Sequence, residues 1–298
     1  IVGFAIVGIG VDAVNWSKIG TIVLSWIVSP LVGGTIAFLL MRSIQKFILD
    51  TEIPFLNAKR YAPFYVFLVG FLISLVTLFK GLKHLDIELS ILQSFILAVI
   101  FGVFVAVIAH IIINRISMKL GESIHDQFNQ IEKIFGIMMI FSASAMAFAH
   151  GSNDVANGIG PMAAIVSIVE SGGEMAQKSS LPLWILLIGG FGIVLGLSTL
   201  GYRVIQTIGE KITELVPTRG FSAELAAAAT VVIASRTGIP VSTTQIAVGA
   251  VMGVGLARGI GALDLRVVGG IMMSWVITLP VGALLSIFFF FFFRGVFL

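Results

Sequence analysis

Ala147-Phe148-Ala149-His150-Gly151-Ser152-Asn153-Asp154-Val155-Ala156-Asn157-Gly158 is a polar knot between two uncharged apolar runs, Ile134–Ala149 and Ile159–Val169. An ionisable side chain at membrane depth costs about 2.5–3.5 kcal/mol, so where one persists it marks a site or a pathway. The fold and the meaning of Asp154 therefore turn on one question: whether the flanking runs span a membrane.

Composition answers it. Of 298 residues, 58% are hydrophobic and 11% charged, against about 25% charged in a soluble domain. Mean hydropathy is +1.09. Apolar stretches of about 20 residues recur along the chain, each able as a helix to cross the ~30 Å hydrocarbon core. The expected fold class is an all-α polytopic membrane protein, integral to the cell membrane and in contact with the lipid bilayer along most of its length. The formal charge of +3 comes from Lys and Arg scattered among short links, which suits anionic headgroups and excludes a nucleic-acid role. With no cysteine, disulfide and thiol chemistry are excluded. Ile1 opens directly on apolar residues without a basic n-region, so no signal peptide is expected and the chain is read as starting mid-structure.

Working outward, complete spans are expected at Lys18–Met41, kinked near Pro30, and at Pro63–Phe79 and Leu89–Ile113. Then come the run into Asp154, a glycine-rich span from Leu183 to Gly201, and a last span opened by Arg266 and ending in the lipid-facing run Phe288–Phe293. Arg42–Ala62, Glu170–Ser180 and Tyr202–Gly220 are read as polar links, and Arg115–Lys133 as an interfacial segment. Basic residues favour the cytoplasmic side for Arg42–Ala62 and Arg115–Lys133. Gly192 and Gly196 form a small-xxx-small pair expected to pack closely on another helix.

Two interruptions carry the chemistry. At the first, Gly151 and Ser152 are expected to break the helix, with Asn153 and Asp154 starting the next half-helix. Asn157 follows three residues later, on the face of Asp154. Carboxylate and amide oxygens with free carbonyls are hard ligands suited to an alkali cation, with Na+ the natural candidate; no His or Cys cluster suggests zinc. At the second, the stretch Phe221–Ser235 runs into Gly238 and Pro240, and Ser242-Thr243-Thr244 caps a further helix, Gln245–Leu256. A helix start with added hydroxyls fits an oxyanion. Glu224 reads either as a second cation ligand or as a carboxylate near a helix start, and Arg236 either as an anion attractor or as a helix C-cap. Glu132 and Lys133 read as interfacial, and His150 as a packed or carbonyl-bonded side chain. Gly253-Val254-Gly255 follows no strand, so it is not a dinucleotide loop. Repeat-built transporters set such breaks at the midplane, and the pair together reads as ion-coupled anion transport, with no catalytic residues and no cofactor. An intramembrane aspartyl protease would need a second carboxylate facing Asp154, and Asp12 and Asp264 lie near span ends.

The two ends of the chain repeat one another. Val2-Gly3-Phe4-Ala5 and Lys18–Pro30 align with Met252-Gly253-Val254-Gly255 and Arg266–Pro280, sharing the Gly, the basic residue, Ser-Trp and Pro in order. Residues 1–41 are read as the C-terminal part of a first repeat, 42–130 as connecting spans with the interfacial segment, and 131–298 as a second repeat with both motifs. The first-repeat twins of those motifs are then expected upstream of Ile1.

On Gly151-Ser152-Asn153-Asp154-Val155-Ala156-Asn157, Gly220–Ala228 and Gly238-Ile239-Pro240-Val241-Ser242-Thr243-Thr244, the sequence resembles the inorganic phosphate transporter family of sodium- or proton-coupled symporters. The resemblance is clear from Lys133 onward and reaches residues 1–41 through the repeat. It implies an inverted-repeat transporter with discontinuous helices or re-entrant hairpins. Inorganic phosphate would meet Ser242, Thr243, Thr244, Asn153 and Asp154, and sodium ions would sit at Asp154, Asn153, Asn157 and Glu224. It also implies a homodimer. Gln245 stands where that family usually has His. By helix-terminus chemistry alone another oxyanion such as sulfate would serve, and proton coupling stays open beside sodium.

Overall fold

The computed structural model describes residues 2–81, 89–116, 123–171 and 182–297. Among them are nine α-helices and no strand: α1 Val2–Gly8, α2 Trp16–Ile44, α3 Pro54–Val76, α4 Ile91–Asn114, α5 Ile124–Glu170, α6 Leu183–Gln206, α7 Pro217–Thr237, α8 Thr243–Arg258 and α9 Leu265–Phe297. Six stretches are long and apolar enough to cross a membrane, namely α2, α3 and α6 with their π-helical extensions, α4, α5 and α9. Large apolar side chains stand exposed on these helices, and on α9 only Val268 is buried. That is the surface of a protein solvated by lipid, where backbone polar groups must be satisfied within each helix.

Spans α2 and α3 start earlier and run longer than hydropathy alone suggests. Arg42 and Lys46 belong to α2 and its π-helical end Gln45–Leu49, and Lys59 and Arg60 lie on α3. Of the expected link Arg42–Ala62, only residues 50–53 lie outside helix. Pro54 opens α3 at the first helical position, where its missing N–H costs nothing, and long basic side chains tolerate helix ends because their heads reach back to water. Likewise, most of the described part of Arg115–Lys133 forms the first turns of α5, and α7 begins within Tyr202–Gly220. Most of the link Glu170–Ser180 lies outside the described residues. Gly192 and Gly196 have no atom within 4 Å of an added Cβ, so among the described residues they pack on no other helix.

Close packing occurs instead between α2 and α8. A Cβ on Gly33 would lie 2.9 Å from the Ile246 carbonyl, and one on Gly34 2.8 Å from that of Gly249. A Cβ on Gly249 would overlap Pro30, and one on Gly253 would overlap Gly34. These helices meet backbone to backbone, as small residues allow in membranes.

The chain ends also match in detail. One constant offset relates Gly10 to Gly259, both at positive φ (125° and 109°), and the 3-10 turn Val11–Ala13 to Ile260–Ala262. The same offset takes Gly34 to Ala283; Gly3, which aligns with Gly253 at an offset one residue longer, packs on the Ala283 carbonyl with 2.7 Å left for a Cβ. Thus α1 meets α9 as α8 meets α2.

The core joins α3, α5 and α7 through Tyr65, Phe135 and Phe221, three buried rings with centroids 5.5–6.2 Å apart. The Tyr65 hydroxyl is satisfied by Ser43 Oγ of α2 at 2.9 Å. On α3, Lys59 Nζ donates to the carbonyls of Asn114 (3.1 Å) and Ile116 (2.8 Å), closing the C-terminus of α4. Replacing Lys59 by Met keeps the stem and removes the donor, so we expect a loss of about 1–2 kcal/mol, read as a lower melting temperature in detergent.

Candidate functional site

The second interruption stands as expected. Helix α7 ends at Gly238 in the left-handed region (φ 70°), a conformation glycine adopts without penalty. After the non-helical residues 238–242, α8 starts with Ser242 as N-cap, its hydroxyl accepting from the Gln245 N–H at 3.3 Å. The two arms pack together as a helical hairpin. Helix α7 is buried on almost every face, which its alanines permit by leaving room for neighbours on all sides.

The first interruption is absent. Helix α5 runs unbroken for 47 residues through Gly151, Ser152 and Asn153, and through Pro161 as well. Its length of about 70 Å at 1.5 Å per residue exceeds the hydrocarbon core. A glycine inside a helix costs only about 1 kcal/mol, less than the several kcal/mol of leaving a backbone group unpaired in lipid. The free carbonyls expected as cation ligands at the break are therefore engaged within the helix, and the oxygens on offer here are those of side chains.

The two motifs meet. Thr243 Oγ1, at the first turn of α8 and 2% exposed, donates to Asp154 Oδ1 at 3.1 Å and lies 3.3 Å from Oδ2. His150 Nε2, one turn before Asp154 on α5, contacts Oδ2. Asp154 and Asn153 are half-buried, Asn157 and Thr244 exposed, and Ser242 half-buried beside the break. So the structure brings Asp154 and Thr243 into contact; Asn153 and Ser242 are their half-buried chain neighbours, and Asn157 and Thr244 are exposed.

Glu224 stands elsewhere. Its Oε2 accepts from Ser142 Oγ at 3.2 Å, and Ser142 precedes Asp154 by about 18 Å of helix at 1.5 Å per residue. Among the described residues no three His, Cys, Asp or Glu side chains gather as a metal cluster. Arg236 places its guanidinium 4.6 Å from the Phe79 ring centroid, tying the hairpin tip to the end of α3, a cation–π contact rather than a helix cap. His150 was legible as a partner of Asp154 from their spacing of four residues alone, which puts two helical side chains on one face. Glu132 is no mere interfacial residue either: its carboxylate accepts from the Thr218 N–H at 2.9 Å and the Thr218 hydroxyl at 2.8 Å.

Known proteins resemble this chain along its whole length. The sequence pattern of the Phosphate transporter family matches residues 1–286. A Haemophilus influenzae protein named "Putative phosphate permease" is 46% identical over 297 residues, covering 100% of this chain and 70% of that protein. "Inorganic phosphate transporter 2-1, chloroplastic" of Arabidopsis thaliana is 38% identical, over 96% of this chain and 52% of that one. A solved structure named "The sodium-dependent phosphate transporter" superposes with a TM-score of 0.85 at 34% identity, over 99% of this chain and 71% of its own.

Proposed function

The chain belongs to the Phosphate transporter family, and we propose from that premise that it forms the cation and anion sites of a sodium-coupled symporter of inorganic phosphate. It is an integral membrane transporter and not an enzyme. The observation that carries the reading is the Thr243–Asp154 contact, which sets the hydroxyl-rich start of α8 against a carboxylate from α5. Sodium at Asp154, Asn153 and Asn157 neutralises the carboxylate, and phosphate then meets the N–H and hydroxyl donors of Ser242, Thr243 and Thr244. An anion approaching Asp154 without sodium meets repulsion in a low dielectric, and coupling follows from that sign. Thr243 is freed to donate to phosphate once sodium takes over the charge of Asp154. Glu224, held off by Ser142, serves as a separate cation ligand on the same α5–α7 interface.

The matched ends, with α1 on α9 as α8 is on α2, support an inverted repeat. Residues 1–41 belong to its first copy, 42–130 connect, and 131–298 form the second. A homodimer completes the reading. The solved relative is named as sodium-dependent, which supports Na+ over H+, while His150 against Asp154 is the feature a proton-coupled variant would use.

The test is uptake of radiolabelled phosphate by the complete protein in proteoliposomes. Uptake should rise with external sodium and resist competition by excess sulfate. Equal uptake with choline replacing sodium, driven instead by a proton gradient, would reassign the coupling ion. Full competition by sulfate would reassign the substrate.

A further inference from the structure

Helix α7 begins on a residue that cannot cap it. Val216 occupies the N-cap with no side-chain acceptor, and Pro217 has no N–H to offer. The Arg219 and Gly220 N–H groups turn back to the Val216 carbonyl, both at 2.9 Å. The Thr218 N–H would be left over, an orphan donor of the kind every helix start leaves. Its partner comes from 86 residues away, Glu132 of α5, half-buried, which takes the N–H on one oxygen and the Thr218 hydroxyl on the other. Two charge-assisted bonds to the positive end of a helix are among the stronger contacts two helices can exchange.

Further contacts follow in register. Gly220 lies against Met139, where a Cβ would come within 2.8 Å of the sulfur, and Glu224 accepts from Ser142. Both helices therefore run parallel from the Glu132–Thr218 pair towards Asp154 and the hairpin tip. A slip of α7 along α5 at Thr218 would be carried by a continuous helix to Gly238, and by the tight turn there to Thr243.

We propose that Glu132 is a positioning residue, which fixes the hairpin of α7 and α8 on α5 and so sets where Thr243 stands relative to Asp154. This rests on the reading of those two residues as the transport site, but the geometry can be tested without transport. The chain has no cysteine, so an Asp154→Cys, Thr243→Cys pair reports their approach through its rate of oxidative cross-linking in detergent. Adding Glu132→Ala should slow cross-linking about fivefold or more, the effect of removing roughly one strong contact. Glu132→Gln, which can still accept from the Thr218 N–H, should restore most of it. Where Glu132→Ala does not yield folded protein, Thr218→Val removes only the hydroxyl donor and should slow the reaction less but in the same direction. Cross-linking as fast as in the parent pair in both variants overturns the proposal. Alongside, in the otherwise unaltered complete protein, Glu132→Ala should raise the KM for phosphate more than it lowers kcat, with Gln again restoring it. Slowed cross-linking with unchanged phosphate kinetics would uphold the positioning and instead remove Thr243 and Asp154 from the transport site.

Discussion

Asp154→Asn in the complete protein is expected to lower sodium-driven phosphate uptake about 100-fold at subsaturating sodium, while folded yield stays that of the parent. The size follows from what the substitution removes. The carboxylate charge that would hold a cation is lost, and a contact made by a charged group contributes about 1.5–3 kcal/mol, roughly 10- to 100-fold in affinity. Structure should survive, because Asn keeps the shape of Asp and its carbonyl oxygen still accepts from Thr243 Oγ1, the contact that joins α5 to α8. Thr243→Val makes the complementary change: the buried shape is kept and the donor to Asp154 lost. Affinity for sodium should weaken in the first variant, and affinity for phosphate in the second. The two effects should fall short of additive, since both residues share one contact. Near-normal uptake with unchanged sodium dependence in Asp154→Asn would take Asp154 out of the mechanism.

The hairpin could be read from sequence because its cause is local. Gly238 supplies a left-handed backbone, Pro240 cannot continue a helix, and Ser242 caps the next one; each acts within a few residues. The uninterrupted α5 could not be read that way. Gly151-Ser152-Asn153 carries the composition of a break, but in lipid the demand that every carbonyl find a partner outweighs the weak helix propensity of those residues. Long-range pairings were hidden for another reason. Thr243 meets Asp154 across 89 residues and Glu132 meets Thr218 across 86, and no periodicity within one helix encodes which face of another it meets. The glycines show the same limit. Gly192-xxx-Gly196 and Gly249-xxx-Gly253 are equal as patterns, yet only the second pair faces another backbone.

That difference gives the second large effect. Gly253→Leu is expected to destabilise the protein by about 3 kcal/mol or more, the upper range for forcing bulk into a packed interior. It should appear as loss of the monodisperse peak in gel filtration and a lower melting temperature. Any Cβ at residue 253 meets the Gly34 carbonyl and Cα, which are backbone atoms of a neighbouring span and cannot rotate aside as a side chain would. Relief requires α8 to move off α2 along its length, because Gly249 on Pro30 and Gly33 on Ile246 fix the same crossing at adjacent turns. Gly196→Leu is the matched control and should leave the protein as stable as the parent, since nothing lies within 4 Å of its added carbon. Stability and transport are linked here: α8 starts at Thr243, so a shift that accommodates Leu at residue 253 also displaces the hydroxyl that meets Asp154. Gly253→Ala, the smallest intrusion, should therefore lower phosphate affinity in whatever fraction still folds. A Gly253→Leu protein that folds and melts like the parent would show that α2 does not brace the hairpin, leaving α5 alone to hold the site.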